Sequence, residues 1–598
     1  MASRRTVWPA VAVAALLAVF VAHCLVGERA DAPTFDETTH LAQGLLHVVR
    51  GDYRFQVDHP PLAKLVAGAA ARLAGARLPE DSPRWRADMR NPFEHRAWAW
   101  RALYRTPGND PERLFTAGRL ALVPLALLLL LVVWRWTRAL YGEVAGLAAL
   151  ALAAFDPNLV AHAHLVTADL PATALLATAA YACWRALVHW RLAWGLLAGG
   201  ALGLAVATKY TALLMAGLLP LFVLVRALDP VPWPIGRRPG RRVDTAAGRL
   251  SVAAMLALVV LAAAWTMLWA TYRFRPTAAP DLAVGLTGHA LRAWLGASPP
   301  WPLALLAHAT EWRLIPDAWG LGVVYLVADA TLIPRVSYLA GELSDRGWWY
   351  YFPATLALKV PLATLALAAL GAVGAVVVVR RPAVGAGDET GHRSAMAFVV
   401  GFPIALLAVA ATSSLDLGLR QVLPVYPFLL ILAGGGVAAC WRWRRPAGAA
   451  VALAGIAWVA IASVRVAPDY LAYFNEAAGG PDRGLRWLAD SNLDWGQALR
   501  RLPEWLAERG ISEVNLCYFG TADPDAYLEH VALPGCTTYA RPIASPKLPG
   551  YVAISATHLA GIHHSPELRA WYRELLARGR LVGVVGRAIH VYEVPAAP

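Results

Sequence analysis

The chain has 598 residues, of which 58% are hydrophobic and 16% charged, and a mean hydropathy of +0.47. That is too apolar and too poor in charge for an ordinary soluble protein, and it indicates a polytopic membrane protein. The formal charge of +14 would suit a nucleic-acid binder in a soluble chain; here much of the basic excess lies between apolar segments, where membrane orientation explains it, and no nucleic-acid partner is expected.

The first apolar run, Val7 to Val26, is about 20 residues, long enough to span a bilayer. MASRR before it and Ala30 and Ala32 after it also fit a signal peptide, but the length favours an uncleaved first helix. Residues 27–113 hold no membrane-length apolar run and read as a long outer loop. Within it lies TFDETTHLAQGLLHVVRGDYRFQVDHPPLAK, beginning at Thr34. Thr34 and Glu37 make a T-x-x-E capping box, which predicts a helix start. Asp36, His40, Gln43 and His47 then share one face while Phe35, Ala42, Leu45 and Val49 line another, so an amphipathic helix lying on a membrane is expected. Asp36 falls in the first turn, where the helix dipole alone would favour a carboxylate. In Asp58-His59-Pro60-Pro61 each proline fixes its own φ and biases its predecessor toward extended geometry, giving a stiff presentation of Asp58 and His59.

Further spans read at roughly 117–134, 143–158, 168–188, 193–208, 210–228, 250–271, 353–379, 395–412, 421–440 and 447–464, which makes about eleven membrane helices. Arg135 and Arg138, Arg185 and Arg191, Arg237 to Arg242, Arg380, Arg381 and Arg393, and Arg442 to Arg445 all fall on the N-terminal side. The opposite links are acidic (Asp156, Asp169, Asp416) or long, so the N-terminus is expected in the cytoplasm and the C-terminus outside the cell membrane. A second outer loop, 273–351, closes on Trp348-Trp349-Tyr350-Tyr351, an interfacial belt. Its apolar piece 318–334, interrupted by Asp329, reads as lying along the membrane. From Arg465 the composition turns soluble. A helix around 496–509, strands near 513–519, 551–555, 581–586 and 589–594 and a helix near 566–578 predict a small extracytoplasmic α/β domain. The expected fold is therefore mainly α, with a membrane unit over 1–464 and an α/β domain over 465–598. Cys517 and Cys536 could pair there if the compartment is oxidising; Cys24, Cys183 and Cys440 read as small buried hydrophobes.

The acids Asp36, Asp58 and Asp169 map to outer helix ends or outer loops, and acids so placed are candidates for function. An N-cap would also explain Asp169, and Asp156-Pro157-Asn158 reads as a turn. Cations at the outer surface could hold a lipid-linked phosphate: Lys64, Arg119, Lys209, Lys359 and Arg420, with snorkelling toward the interface as the alternative for each. Arginine's planar fork suits phosphate oxygens, which singles out Arg119 and Arg420. His162 and His164, with His40, His47 and His59, match no specific metal spacing. DSNLDWGQ (490–497) lacks the glycine and terminal glutamate of a calcium loop. A transporter or flippase for a lipid-linked or anionic solute is the alternative function, but it would favour ionisable groups near the midplane and a repeated half-structure.

In order, the Asp36-Glu37 pair after the first span, D-H-P-P-L-x-K ending at Lys64, Arg119, Asp169, ALGLAVATKYTALL (201–214), GWWYYFPATLALKVP, LGLRQVLPVYPF and YFNEAAGG…DSNLDWGQ resemble the polyprenyl-phosphate-sugar-dependent glycosyltransferases of the GT-C class, family 39. These are the protein O-mannosyltransferase and aminoarabinose-transferase type. The resemblance implies inverting transfer of a sugar from an undecaprenyl- or dolichyl-type phosphate to an acceptor hydroxyl on protein, lipid or glycan at the outer face. It implies Asp36 as base, Asp58 and Asp169 orienting the acceptor or a metal, and His59, Lys64, Arg119 and Arg420, with Lys209 and Lys359, around the phosphate. Glu37 and His40 support them. The resemblance fixes no cofactor and leaves a divalent metal open, for which the candidate ligands are Asp58, Asp169 and His162. The topology expects reporters fused after Arg242 to be cytoplasmic and those after Gly341 or Gly520 to be outside, and an external signal after Arg242 would overturn the helix count.

Overall fold

The structure, a computed structural model, describes residues 4–55, 57–79, 95–236, 240–279, 300–332, 335–380, 394–443, 445–536 and 541–596. Helix α1 (Arg4–Ala30) leads into α2 (Glu37–Arg50), α3 (Leu62–Leu73), α4 (His95–Tyr104) and the long α5 (Pro111–Tyr141). Asp110 caps α5, accepting the Arg113 N–H, with Pro111 in its first turn. Then follow α6 (Glu143–Ala154), α7 (Pro157–Ala163), α8 (Asp169–Val188), α9 (Leu192–Val206), α10 (Ala212–Leu228), the ribbon β1 (Trp233–Pro234) with β2 (Arg242–Val243), α11 (Ala246–Thr271), α12 (Trp301–Glu311) and α13 (Asp317–Leu332). The ribbon β3 (Ser337–Leu339) with β4 (Glu342–Ser344), then α14 (Tyr351–Lys359), α15 (Leu362–Arg380), α16 (Phe402–Ala410), α17 (Tyr426–Trp443) and α18 (Arg445–Val466), complete the helical part.

Helices occupy all eleven segments expected to span, but among the described residues five are long and apolar enough by themselves, and up to seven if two bent pairs each count as one. Prolines cause both bends. The segment 143–158 breaks by 62° before Pro157, where Asp156 caps α7 through the N–H groups of Asn158 and Leu159. The segment 353–379 breaks by 115° at Val360-Pro361, since proline lacks the N–H and crowds the preceding turn. Leu258, Leu261, Leu453 and Val464 stand exposed on α11 and α18, as side chains facing hydrocarbon would. Trp349 of the aromatic belt is exposed, whereas Tyr351 is buried and accepts a hydrogen bond from Asn492. Arg237, Arg238, Arg381, Arg393 and Arg444 lie outside the described residues, as does the side chain of Asp329.

The polar stripe of α2 corrects the surface-helix expectation. His40, Gln43 and His47 are all buried, and each finds a carbonyl: His40 Nδ1 donates to Val166 O (2.9 Å), Gln43 Nε2 to Phe55 O (3.2 Å) and His47 Nδ1 to Asp52 O (2.6 Å). The stripe is covered by the chain from 52 to 55 and the segment at Val166, whose carbonyls meet it. Helices α2 and α3 cross backbone to backbone at Gly44 and Gly68.

Beyond α18 the chain runs through short 3-10 turns, including Gln497–Arg501, into α19 (Leu502–Ala507), in place of the single helix expected over 496–509. Five strands follow: β5 (Asn515–Cys517), β6 (Val531–Ala532), β7 (Gly550–Ser555), β8 (Arg580–Val585) and β9 (Ile589–Val594), in spatial order β6-β5-β7-β9-β8. β5 is parallel to both neighbours, and β9 antiparallel to β7 and β8. Helix α20 (Ala556–Leu559) follows β7, and α21 (Pro566–Ala577) packs Tyr572, Leu575 and Leu576 on one face of the sheet against Val552, Ile554 and Val594. Cys517 and Cys536 are disulfide-bonded. This region clamps the α1–α2 connection: Ala32 N–H donates to Gln497 O, Phe35 N–H to Trp495 O, Thr38 Oγ1 to Thr521 O and Thr521 Oγ1 to Phe35 O.

A methyl group on Gly44 would lie 1.8 Å from Lys64 O, and one on Gly68 2.0 Å from the Gly44 carbonyl carbon. Gly44→Ala and Gly68→Ala are each expected to cost at least ~1–3 kcal/mol through overpacking. Gly217→Ala, where nothing lies within 4 Å, should leave the thermal unfolding of the detergent-solubilised protein near wild type.

Candidate active site

Asp36 and Glu37 are adjacent and do different things. Glu37 points inward. Its Oε1 accepts from Arg119 Nε (2.8 Å) and Val166 N–H (2.8 Å); its Oε2 accepts from Arg119 Nη2 (2.7 Å), Thr34 N–H (2.8 Å) and the Thr34 hydroxyl (3.1 Å). The glutamate's half of the capping box therefore forms, while the threonine hydroxyl donates to the carboxylate instead of accepting from the helix. Arg119 spends its remaining donors on the carbonyls of Glu28, Asp31 and Ala32. Both side chains are 0% exposed. Burial opposes ionisation of Glu37, but Arg119 and the donated hydrogen bonds hold its carboxyl below the usual range. Arg119, expected among the phosphate ligands, is thereby corrected to a sealed structural partner.

Asp36 points the other way, into a cavity of about 670 Å³. Its Oδ2 accepts from Arg420 Nη1 at 2.9 Å, and Arg420 also approaches Asp169 Oδ2 at 4.0 Å. Lys209 closes the row by pairing with Asp169 Oδ1. Four groups from the α1–α2 connection, the 3-10 turn Leu419–Gln421, the start of α8 and the turn between α9 and α10 thus form a run of alternating charge: Asp36, Arg420, Asp169, Lys209. Arg420 lies over the Trp495 ring at 4.3 Å and donates from Nε to Ser491 Oγ (3.1 Å), and its Nη2 has no hydrogen-bond partner among the described residues. Gly418, at φ +155°, faces Ser491 and Asn492, so a side chain there would push this turn away. Burial alone would raise the Asp36 pKa; Arg420, then His40, His59 and Arg96, outweigh it and hold the carboxyl below its ordinary value.

A second group lies behind Asp36. Asp58 Oδ2 is 3.4 Å from His59 Nδ1, Lys64 Nζ donates to His59 O (2.8 Å), and the His40 and His59 rings meet edge-on at 5.4 Å. Burial disfavours charge on Asp58, but His59 and Lys64 hold its carboxyl well below the usual range. Burial lowers Lys64 to about 8 against the pull of Asp58 and Asp36, and lowers His40 to about 4. Lys359 stands apart: its ammonium donates to Leu471 O (2.8 Å) and Asn492 O (2.6 Å) over the Phe474 ring, which pins the 471–492 segment and removes it from the phosphate candidates. His162 is buried beside Trp495. Among the described residues Asp58, Asp169 and His162 do not converge as metal ligands; the group whose ligand atoms do converge is Cys517, Cys536, His558 and His564.

On the far wall of the cavity Asp490 comes from the DSNLDWGQ motif quoted for the resemblance, whereas Arg335 and His563 were not singled out by the sequence. Asp490, Arg335 and His563 line that wall with Arg96 and Phe519. Asp490 is held at φ +54°, a left-handed conformation uncommon for a residue with a side chain, and its Oδ2 lies 3.9 Å from His563 Nε2. Phe35, Phe519 and His563 stack in sequence at 5.0 and 5.1 Å. The available signal was the motif DSNLDWGQ; nothing local to His563 or Arg335 marks them.

Residues 112–233, which carry Arg119, Asp169 and Lys209, match a family model described as dolichyl-phosphate-mannose-protein mannosyltransferase. That match spans 122 of the 598 residues. The structure of the chain is similar to the Saccharomyces cerevisiae protein O-mannosyltransferase Pmt1-Pmt2 complex bound to the sugar donor (18% identity, 45% of this chain and 34% of that one, TM-score 0.31). It is also similar to Archaeoglobus fulgidus oligosaccharyltransferase AglB in complex with an inhibitory peptide and a dolichol-phosphate (12%, 89% and 61%, 0.42). A third likeness is to ArnT from Cupriavidus metallidurans bound to undecaprenyl phosphate (15%, 99% of both chains, 0.28). The chain spans about a third of the yeast protein and about six-tenths of the archaeal one. No curated protein sequence matches it.

Glu37→Gln, expected from the capping box alone to be mild, should instead be severe, because it leaves the Arg119 charge buried and uncompensated. Glu37→Gln and Arg119→Ala are each expected to cost ~3–5 kcal/mol in thermal unfolding. Acid should also destabilise. Burial depresses His40 to about 4 and His47 to about 3 in the folded chain, below the ordinary 6.5. Their contribution is complete above pH 6.5 and is lost as pH falls toward 4, so the Tm should drop between pH 7.5 and 5, and His40→Gln should reduce that drop.

Proposed function

We propose that this protein transfers a sugar, with inversion, from a polyprenyl-phosphate carrier to an acceptor hydroxyl at the outer face of the cell membrane. In this reading the eleven helical segments set the N-terminus in the cytoplasm and the sheet-bearing C-terminal region outside. The observation that supports it most is that Asp36 and Arg420, the first two members of the Asp36–Arg420–Asp169–Lys209 row, line one cavity, a base beside a cation that suits a phosphate.

The chemistry assigned to these groups is a single displacement. The acceptor oxygen forms a bond to the anomeric carbon as the bond from that carbon to the phosphate oxygen breaks. The hydroxyl proton passes to Asp36, and the electron pair leaves with the polyprenyl phosphate. An ionised Asp36 is ready to accept that proton, but its pairing with Arg420 weakens it as a base. A donor phosphate drawing the Arg420 guanidinium toward itself would loosen that pair and restore basicity as the leaving group is bound. Lys209 and Asp169 would hold Arg420 in reach. Asp58, His59 and Lys64 would shape the field behind Asp36. The sugar, the carrier chain and the acceptor class, whether protein, lipid or glycan, are properties of the cavity walls.

Asp36→Asn is expected to abolish transfer while leaving thermal stability and binding of a polyprenyl phosphate close to wild type. Arg420→Lys keeps the charge but loses the fork, so carrier binding should weaken by ~1–3 kcal/mol. Both are measured on purified protein with a synthetic polyprenyl phosphate. Unchanged affinity in both Arg420→Lys and Arg420→Ala would remove Arg420 from the donor site, and an active Asp36→Asn would remove the base.

A further inference from the structure

We propose that Cys517, Cys536, His558 and His564 form a tetrahedral zinc site in the reduced protein, mutually exclusive with the disulfide that joins the two cysteines in this structure. The four come from separate places: the end of β5, the loop after β6, helix α20 and the turn before α21. One ligand atom from each nevertheless lies within 4.8 Å of all the others, and all four residues are buried. Two thiolates and two imidazoles are a set that zinc takes in structural sites.

The histidines supply an independent observation. Neither ring nitrogen of His564 has a hydrogen-bond partner among the described residues, and neither has His558 Nδ1, although these atoms are fully enclosed. Buried polar nitrogens are normally paired, because leaving water without a partner costs free energy. The two rings stack nearly parallel at 4.7 Å. His558 Nε2 contacts the Tyr518 carbonyl at 3.3 Å, and as that oxygen only accepts, Nε2 carries the proton. That leaves the His558 Nδ1 lone pair for a metal, with the carbonyl as the outer contact that fixes the tautomer.

The two states interconvert by thiol–disulfide exchange. One thiolate of a dithiol reductant attacks one sulfur of the pair and forms a mixed disulfide; its second thiolate then displaces that cysteine. The reductant leaves as a disulfide and the protein gains two electrons and two protons as two thiols. Zinc then binds the thiolates and releases those two protons. In reverse, a small-molecule disulfide takes the two electrons by the same exchange, leaving as two thiols, restores the Cys517–Cys536 bond and expels the ion. His563 and His564 are consecutive, and both line the cavity that Asp36 faces. Metal binding would fasten the segment carrying them to β5, so the site reports redox state directly to one wall of that cavity.

The test uses the full-length protein in detergent, reduced by a phosphine under nitrogen, incubated with zinc or cobalt(II) and desalted. One metal ion per chain is expected, with the ligand-field and thiolate charge-transfer absorption of tetrahedral cobalt, and no bound metal in protein left oxidised. His564→Gln leaves the disulfide intact for folding, and after reduction it should lose the tetrahedral cobalt spectrum. Cys517→Ser should lose it as well. Absence of stoichiometric metal in the reduced wild type, or the same spectrum from oxidised protein or from His564→Gln, overturns the proposal.

Discussion

The buried pair of Glu37 and Arg119 is the constraint on which the rest is built. Removing two charges from water is expensive, and here the cost is offset by complete satisfaction: the carboxylate takes five hydrogen bonds and the guanidinium caps three carbonyls at the end of α1. Through these bonds α1, α2, α5 and the chain before α8 meet at one point. Asp36 is the residue before it, turned by about 100° on the helical path, so fixing Glu37 inward aims Asp36 outward. The hydrogen bonds from the C-terminal region to residues 32–38 close the other side.

Against that rigid frame the cavity residues are less committed. Arg420 sits on a short 3-10 turn, divides its donors between Asp36 and Ser491, and leaves Nη2 unused among the described residues. Asp490 keeps a strained backbone. Groups that can exchange partners face the cavity, whereas Glu37 and Arg119, with their partners satisfied, lie behind it. That division is what a site needs if a charged carrier is to enter and leave.

Much of the helical framework can be read from the sequence because apolar length is a local property, and so can the start of α2, since both halves of its capping signal are three residues apart. The bends at Pro157 and Pro361 were equally local, and weighing them would have reduced the number of uninterrupted spans. Partnership was not readable. An arginine near the start of an apolar helix looks the same whether it meets a lipid phosphate or, as Arg119 does, a glutamate 82 residues earlier. Lys359 misled in the same way. The stripe of Asp36, His40, Gln43 and His47 has one periodicity whether it faces water or a polar interior, and only tertiary burial decides between them. His563, Arg335 and Asp490 join the cavity from remote segments, so no spacing rule links them to Asp36.

The most direct measurement is an experimental structure of the protein with a polyprenyl phosphate bound. The expected result is the phosphate against the Arg420 guanidinium, with the Asp36–Arg420 contact lengthened and the Asp36 carboxylate facing the space where an acceptor hydroxyl would sit. A phosphate bound elsewhere, with the Asp36–Arg420 pair still closed at about 3 Å as charge-assisted pairs are, would contradict the assignment of this row of charges as the transfer centre.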